Sequence, residues 1–356
     1  MIIKLLEKLN KTINFSIVLI LTMRKLVFID HNGKNILESK DTSTWKVMLE
    51  PILVSGFKLV SNRDLDKNTF LISNNHHKLN FAKPLFVKNK KKQTVLIGWE
   101  PKVTDPKMHQ SKNYSRYGLA FSLSIEWFPE ASNIEYFNWP VSSPKNEFKG
   151  HFSDRKKRIV IIQSNKFSVI KGEQYSIRRK YILNLRSHLD LYGFDWNSGI
   201  AKDAIKVIKS CVNSNFRKLN LKENLKWVGK TYDNYKGTCV NKDDILSKYQ
   251  IAIVIENSND YVSEKLHHAL NAGCCVLYLG PPLKKHKYIN NEIILLPNNV
   301  ERGISLAFNF LNKETIELEN IAKLQKDAMI KDFINRNDVQ VMQKIGERIR
   351  DHFLNN

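Results

Sequence analysis

The sequence has few cysteines and no paired cysteine motif. Four cysteines occur in 356 residues, and no two of them are spaced as in a CxxC pair. Cys274 and Cys275 are adjacent within an apolar run, which is not a spacing that zinc ligands adopt. We therefore expect reduced thiols, as is typical of a cytosolic protein, and no metal site.

A long hydrophobic run is also missing. A membrane-spanning helix needs about 20 consecutive apolar residues, whereas the apolar patch at residues 13–21 is shorter and is interrupted by polar side chains. No small-residue cleavage site precedes the basic pair at residues 24 and 25, which argues against a secretory signal. Residues 1–22 are therefore predicted to be an interfacial segment or a dispensable extension.

Acidic residues are scarce relative to basic ones. The chain has 57 lysines and arginines against 35 aspartates and glutamates, a formal net charge of +22. A polyanion, an anionic membrane surface and a phosphorylated small molecule all fit this balance. Because the basic residues are spread along the chain, ordinary solvated surface is the alternative explanation. No motif typical of specific nucleic-acid recognition accompanies the charge.

The apolar runs indicate two α/β domains. A chain of 356 residues exceeds what one hydrophobic core usually organises. Short continuous runs such as LVFID and RIVIIQS alternate with helical patterns, which is typical of parallel strands covered on both faces. A stretch rich in Ser, Pro, Gly and charge at residues 142–157 predicts the boundary. We predict a first domain over residues 23–150 and a second over residues 151–356, the latter ending in a charged helical tail.

Polar side chains follow the predicted strand IAIVIEN. Glu256 and Asn257 emerge at its end, and Ser263 is placed to cap the next helix, which begins with Glu264 and Lys265. Ligands bind at the carboxyl ends of parallel strands, where a carboxylate suits sugar hydroxyls and a lysine suits a phosphate. The same spacing is typical of an ordinary capped helix with a solvated lysine, so the residues alone leave both interpretations open.

Two further segments contain residues that could act in catalysis or in ligand binding. Glu100 follows the strand TVLIGW, and Pro101 holds it extended. Such a carboxylate suits a general base, or is a solvated loop residue. Arg178 and Arg179 lie early in the helix after RIVIIQS, where an arginine can fork onto a diphosphate or lie on the surface.

The ordered set of motifs resembles the family 10 glycosyltransferases, the α-1,3/1,4-fucosyltransferases. The run KYQIAIVIENSNDYVSEKLHHALNAGCCVLYLGPP resembles the donor-binding signature of that family. VIIQSN, SIRRKYILNL and DLYGF resemble its preceding strands and helix, and LIGWEPKVTDP resembles the run that carries its catalytic base. Aligning Tyr181 with the aromatic residue of the family's helix selects Arg178, rather than Arg179, as the diphosphate-binding arginine.

The resemblance implies a GT-B fold, with two Rossmann-like domains facing across a cleft and the donor in the second. It implies an inverting transfer of fucose from GDP-fucose to a hydroxyl of an acceptor glycan with a GlcNAc-type sugar, with Glu100 as the base. The implied donor-binding residues are Arg178 and Lys265 for the diphosphate, Glu264 for the ribose, and Asn257 and Tyr261 as lining. No cofactor is implied beyond the donor substrate, although a divalent metal could stimulate the reaction.

Two alternatives accompany this interpretation. One keeps the fold and changes the donor to another nucleotide sugar, and the other is a non-catalytic protein that binds a polyanion. For the enzyme, we expect a nucleotide sugar and an acceptor glycan as partners and no specific nucleic acid. We expect it in the cytoplasm or at the cytoplasmic face of the membrane, in peripheral contact with anionic lipid.

Overall fold

The computed structural model describes residues 23–30, 33–38, 43–61, 68–76, 91–124, 127–128, 132–137, 150–214, 220–283, 287–333 and 338–356. The predicted N-terminal segment at residues 1–22 and the first half of the predicted boundary lie outside these ranges. Within them, none of the helices is both long enough and apolar enough to cross a membrane.

Strands and helices alternate along the described chain, as predicted. The strands are β1 (Arg24–Ile29), β2 (Phe57–Leu59), β3 (Phe70–Asn74), β4 (Thr94–Gly98), β5 (Leu119–Ser122), β6 (Ile134–Tyr136), β7 (Lys156–Ile162), β8 (Leu189–Tyr192), β9 (Tyr249–Ile255), β10 (Cys275–Leu279) and β11 (Ile294–Leu295). The α-helices are α1 (Ser43–Leu53), α2 (Ser111–Tyr114), α3 (Tyr175–Asn184), α4 (Gly199–Asn213), α5 (Leu221–Leu225), α6 (Lys242–Leu246), α7 (Glu264–Asn271), α8 (Ile289–Glu292), α9 (Val300–Leu311), α10 (Thr315–Phe333) and α11 (Asp338–Leu354). Short 3-10 helices occur at Ile36–Glu38, Lys91–Gln93 and Phe152–Asp154.

The strands form two parallel sheets. The first has the order β2-β1-β3-β4-β5-β6 and the second the order β11-β10-β9-β7-β8. In each sheet the strand order reverses next to the first strand, so that β1 lies beside β3 and β7 beside β9. A reversal of this kind leaves a crevice at the carboxyl ends of the two strands, and ligands bind there. The topology therefore predicts a site where β7 and β9 end.

The continuous apolar sequence of β9 reflects its burial on both faces. All seven residues of the strand are buried. Ile251, Ile253 and Ile255 pack on the face that α3 and α9 cover, and Ala252 and Val254 pack on the face that α7 covers. Because alternate residues of a strand point to opposite faces, a strand covered on both sides has no polar positions to spare. The exception is Gln250 near the start of the strand, whose amide donates to the carbonyl oxygens of Phe152 and Arg155. After it, polar residues begin only where the strand ends.

The chain divides into two compact units whose boundaries differ from the predicted ones. The first unit comprises Met1–Trp99, Gln110–Phe137 and Val339–Asn356, and the second comprises Glu100–His109 and Asn138–Asp338. Our prediction placed residues 100–109 in the first domain and residues 339–356 in the second, whereas the structure has them the other way round. The predicted helical tail is therefore not one element, because α10 lies in the second unit and α11 in the first.

Helix α11 contributes to the core of the first unit. Phe353 is fully buried, and its ring centroid lies 5.7 Å from that of Phe57 and 4.8 Å from that of Phe70. Gly346 lets α11 approach α1 closely, since a Cβ at this position would stand 2.0 Å from the carbonyl oxygen of Met48. The packing of α11 thus joins residues nearly 300 positions apart in the sequence, which no local pattern specifies.

Replacing Phe353 tests the contribution of α11 to the first unit. Phe353→Ala should lower the free energy of unfolding by about 3 kcal/mol, because it removes a large buried ring and leaves a cavity. Leu354 is 46% exposed, so Leu354→Ala should cost less than about 1 kcal/mol. Urea unfolding of both variants measures the difference. Equal losses would contradict the assigned packing.

Candidate functional site

A pocket opens in the second unit at the carboxyl ends of β7 and β9. Its lining side chains come from loops that follow strands, from the first turns of α6 and α7, and from α3. The six site residues predicted from the sequence all line this pocket: Glu100, Arg178, Asn257, Tyr261, Glu264 and Lys265. The structure thus brings the six side chains together, while the role of each one stays a prediction.

A buried ion pair organises the end of β9. The Glu256 side chain is fully buried, and its Oε1 accepts a hydrogen bond from the Ser263 backbone N at 2.9 Å. Its Oε2 accepts one from Ser263 Oγ at 2.6 Å and pairs with Lys265 Nζ at 3.2 Å. Ser263 Oγ also accepts hydrogen bonds from the Lys265 backbone N and Nζ, and so caps α7 as predicted. Lys265 is therefore held in place and is not a solvated lysine.

Glu264, the first residue of α7, faces two cations. Its Oε1 accepts a hydrogen bond from Lys242 Nζ at 3.0 Å, and Lys265 follows it directly. Burial raises the pKa of the Glu264 carboxyl, but Lys265 and Lys242 outweigh burial and lower that pKa to about 2. The carboxylate is thus ionised at neutral pH and available to accept hydrogen bonds from a ligand.

Arg178 is a buried cation that contacts carbonyl oxygens. Only 2% of its surface is exposed, and its Nη2 donates to the Ile255 carbonyl and to Asn257 Oδ1, both at 3.1 Å. Its Nε has no hydrogen-bond partner, and no carboxylate of the described residues forms an ion pair with it. Burial lowers the pKa of Arg178 to about 10, which still leaves it protonated at neutral pH. The guanidinium therefore brings an uncompensated positive charge to the pocket.

Arg179 turns away from the pocket, although the sequence alone did not separate it from Arg178. Its Nε and Nη2 donate to Asn165 Oδ1 at 3.1 and 2.8 Å, and its guanidinium lies 4.0 Å from the centre of the Phe167 ring. The side chain is 1% exposed, so Arg179 is not a solvated surface residue. Arg179 instead ties α3 to the loop after β7.

Asn257 and Tyr261 form a buried pair beside Arg178. Asn257 Nδ2 donates to the Tyr261 hydroxyl at 3.0 Å, while Asn257 Oδ1 accepts from Arg178. Both side chains are less than a tenth exposed, and burial raises the pKa of Tyr261 well above its usual value. Tyr261 is thus a neutral hydroxyl at any physiological pH. The pair fixes the orientation of Arg178 toward the pocket.

Glu100 reaches the same pocket from the segment Glu100–His109. Its backbone carbonyl accepts a hydrogen bond from His109 Nε2 at 3.0 Å. Its carboxylate forms no hydrogen bond or ion pair within the described parts of the chain. This segment belongs to the second unit, so Glu100 lines a pocket of its own unit. Our prediction had placed Glu100 in the first domain.

Among the lining residues that the sequence analysis missed, three bear on the charge and the exposed apolar surface of the pocket. Lys166 and Lys242 add two cations, and Phe194 exposes 57% of its surface at the pocket. Phe194 is placed there by Gly193, whose φ is +133° and whose Cβ, if present, would stand 2.0 Å from the Gln163 carbonyl oxygen. An aromatic residue directly after a glycine at a strand end was the available signal, in the run DLYGFDW.

The described side chains form neither a group of metal ligands nor a disulfide bond. No group of three His, Cys, Asp or Glu side chains in the described ranges could hold a metal ion. All four cysteines are free and buried, and burial raises the pKa of Cys274 and Cys275 to about 12.

The chain is similar to known proteins in fold and, over a limited stretch, in sequence. No protein-family model matches it. A fucosyltransferase-like protein of Arabidopsis thaliana is 30% identical over 132 residues, which are 35% of this chain and 22% of that protein, so the match spans less than a quarter of the relative. The structure of an α1,3-fucosyltransferase is similar with a TM-score of 0.54 at 12% identity, over 93% of this chain and 90% of that one. Anabaena HepE in complex with UDP and glucose gives a TM-score of 0.51 at 11% identity, over 92% and 100% of the two chains.

The fold is of the GT-B type. The predicted fold class, a mixed α/β chain with two Rossmann-like parallel sheets and helices, is thereby confirmed. In the second sheet β7 and β9 form the reversal of strand order, and the pocket lies at their carboxyl ends.

The buried His267 on α7 makes the free energy of unfolding depend on pH. It is 3% exposed, and burial lowers its pKa from 6.5 to about 4. Since the unfolded chain binds a proton below pH 6.5 and the folded chain does not until about pH 4, the stabilisation is complete above pH 6.5 and is lost progressively toward pH 4.

Replacing His267 should flatten this part of the pH profile. His267→Gln is expected to remove up to about 3 kcal/mol of acid-induced destabilisation between those two pH values. Denaturant unfolding at a series of pH values measures it. His188→Gln, at an exposed position of the same unit, is the control variant. An unchanged slope for His267→Gln would refute the assignment.

Proposed function

We propose that the protein is a glycosyltransferase of the GT-B fold that transfers fucose from GDP-fucose to a hydroxyl of an acceptor glycan, with inversion. One observation carries the proposal. Glu100, whose carboxylate forms no ion pair with any residue that the structure describes, lines the same pocket as the buried Arg178 and the fixed Lys265. A base and a cationic site for a leaving group are the two requirements of an inverting transfer.

The charge of the pocket suits a nucleoside diphosphate. Its cationic lining residues are Lys166, Arg178, Lys242 and Lys265, and its acidic ones are Glu100 and Glu264. A buried guanidinium that lacks a carboxylate partner gains most from an anion that completes its hydrogen bonds. Two phosphates next to Arg178 and Lys265 would supply that anion and would share the negative charge that develops as the diphosphate leaves.

Glu100 is the proposed general base. Its carboxylate would take the proton of the acceptor hydroxyl while the hydroxyl oxygen forms a bond to the anomeric carbon of the donor sugar. The bond from that carbon to the diphosphate oxygen breaks in the same step, and the electron pair leaves with GDP. Attack from the face opposite the leaving group inverts the anomeric centre. The transfer needs no cofactor besides its donor.

The remaining residues fit the nucleoside part of the donor. Glu264 is ionised and would accept hydrogen bonds from ribose hydroxyls while Lys242 keeps it in position. Asn257 and Tyr261 would line the donor site beside the diphosphate. The exposed ring of Phe194 would stack on the nucleobase of the donor, and this contact would remove its apolar surface from water.

Similarity as well as geometry supports the proposed donor. The sequence match to the Arabidopsis protein and the fold shared with an α1,3-fucosyltransferase favour GDP-fucose, and the motif resemblance favours a GlcNAc-type acceptor. HepE, which has the same fold, is seen with UDP and glucose, and this supports a UDP-sugar as the second candidate donor.

Glu100→Gln tests the proposed base. The amide is nearly isosteric but cannot take a proton, so kcat for transfer to N-acetyllactosamine-type acceptors should fall about a hundredfold or more. Stabilisation by GDP in a thermal-shift assay should persist, because the diphosphate site is intact. Glu301→Gln, on α9 outside the pocket, is the matched control. Full activity of Glu100→Gln would remove Glu100 from the chemistry.

Nucleotide binding tests the donor site separately. GDP should bind at least about tenfold more tightly than UDP by calorimetry. Lys265→Met combined with Glu256→Gln, which leaves no unpaired buried carboxylate, should weaken GDP binding about tenfold, because a charge-assisted hydrogen bond to the ligand is lost. Lys323→Met on α10 is the control, since Lys323 is exposed and pairs with Glu319. Preference for UDP would favour the second candidate donor. Absence of nucleotide binding, with steeply salt-dependent binding to a polyanion, would favour a non-catalytic role.

A further inference from the structure

A second pocket lies in the second unit, next to the donor pocket that Arg178 and Lys265 line. Its walls are the segment Glu100–His109, the loop after β7, the start of α3 and the last turns of α4. Lys166 lines both pockets, so the two are adjacent. The volume of the second pocket is about 270 Å³, many times what one water molecule needs, and a whole sugar ring can therefore enter it.

The segment that carries Glu100 forms one wall of the second pocket. Thr104 Oγ1 and the Tyr175 hydroxyl share a hydrogen bond of 2.9 Å, which ties this segment to the start of α3. Lys107 Nζ donates to Asn213 Oδ1 at 2.6 Å, which ties the segment to the end of α4. A ligand in the second pocket would therefore lie against the same short segment that positions the proposed base.

The side-chain oxygens of the second pocket are already engaged. Each one that the described residues bring to the pocket accepts a hydrogen bond or shares one with another hydroxyl. These oxygens belong to Thr104, Asn165, Tyr175, Asp195, Ser210 and Asn213. The hydroxyl protons of a neutral sugar would consequently compete with existing donors for every one of these oxygens.

Hydrogen-bond donors of the same pocket are still available. Asn213 Nδ2 and Ser210 Oγ donate to no residue that the structure describes, and neither does the Nζ of Lys166 or Lys209. The pocket thus offers two polar side chains and two ammonium groups to a ligand, and it needs oxygen acceptors in return.

Two positive charges at the second pocket are uncompensated. Lys206 also lines it, but its Nζ lies 3.4 Å from the Asp195 carboxylate and 3.3 Å from that of Asp203. Lys166 and Lys209 form no ion pair within the described ranges of the chain. An ionised carboxylate, sulfate or phosphate would satisfy these cations and the available donors together, because such a group accepts charge-assisted hydrogen bonds.

We propose that the second pocket binds an acidic sugar of the acceptor glycan, through a carboxylate, sulfate or phosphate that contacts Lys209 and Lys166. The acceptor is then an anionic glycan, an assignment that rests on the proposed transfer reaction. An acidic sugar in this pocket would bring the neighbouring part of the glycan to Glu100, since one segment borders both pockets. The net charge of +22 would attract such a glycan at long range.

Binding of monosaccharides with and without an acidic group tests the second pocket. Saturation-transfer NMR titrations of the full chain, with GDP present to fill the donor pocket, measure the affinities. N-acetylglucosamine 6-sulfate, N-acetylglucosamine 6-phosphate and glucuronic acid represent the three acidic groups, and N-acetylglucosamine and glucose are their neutral counterparts. At least one acidic sugar should bind about tenfold more tightly than its neutral counterpart, and the tightest of the three identifies the acidic group.

Substitution of Lys209 assigns this binding to the second pocket. Lys209→Gln should weaken binding of the acidic sugar about fivefold, and Lys209→Glu should abolish the preference for it. Lys209 is exposed, so both variants should keep the unfolding temperature of the wild type. Lys222→Gln is the matched control, because Lys222 is an exposed lysine of the neighbouring helix α5 and lines neither pocket.

Several results would overturn the proposal. Equal affinities for acidic and neutral sugars would do so, as would unchanged binding of the acidic sugar by Lys209→Glu. Displacement of the acidic sugar by GDP would place it in the donor pocket instead. Equally tight binding of inorganic sulfate or phosphate would leave an anion site and no sugar site. If the acidic sugar binds through Lys209 while GDP does not bind at all, the acidic-sugar site is supported and the proposed transfer fails.

Discussion

The buried charge of Glu256 is the constraint on which the candidate site depends. A carboxylate without exposure to water is tolerated only when its oxygens are hydrogen-bonded and its charge is paired. Ser263 and Lys265 satisfy both conditions, and both belong to the start of α7. The end of β9 and the start of α7 are thereby fixed to each other, which places Glu264 beside Lys242 at the pocket.

The same loop orients the other side of the pocket. Asn257 follows Glu256 directly, and its side-chain oxygen holds Arg178 while its amide holds Tyr261. Arg178 is thus positioned by uncharged groups and keeps its full charge for a ligand. Arg178 differs in this respect from Lys265 and Lys242, which are already paired with Glu256 and Glu264.

Much of the fold and of the site could be predicted because both leave local signals. Strands buried on both faces require continuous apolar runs, and a site at strand ends requires polar residues directly after them, as at Glu256 and Asn257. Partners brought together by tertiary structure left no such signal, as in the pairing of Glu264 with Lys242. Helix α4 was not predicted as a helix, although its apolar residues lie on one side and its polar residues on the other, which is the usual amphipathic pattern. The unit to which α11 belongs could not be predicted either, because helical periodicity does not specify which sheet a helix covers.

The packing of Phe353 against Phe57 and Phe70 also fixes an order of events during synthesis. The first unit is begun by the ribosome before the second, yet its core lacks Phe353 until residues 339–356 have been made. The second unit needs only residues 100–109 and 138–338, all of which emerge earlier. Domains usually complete folding in the order of their synthesis. In this chain the later unit can close first, and the nascent first unit must keep its exposed apolar strands from aggregating until its last helix arrives.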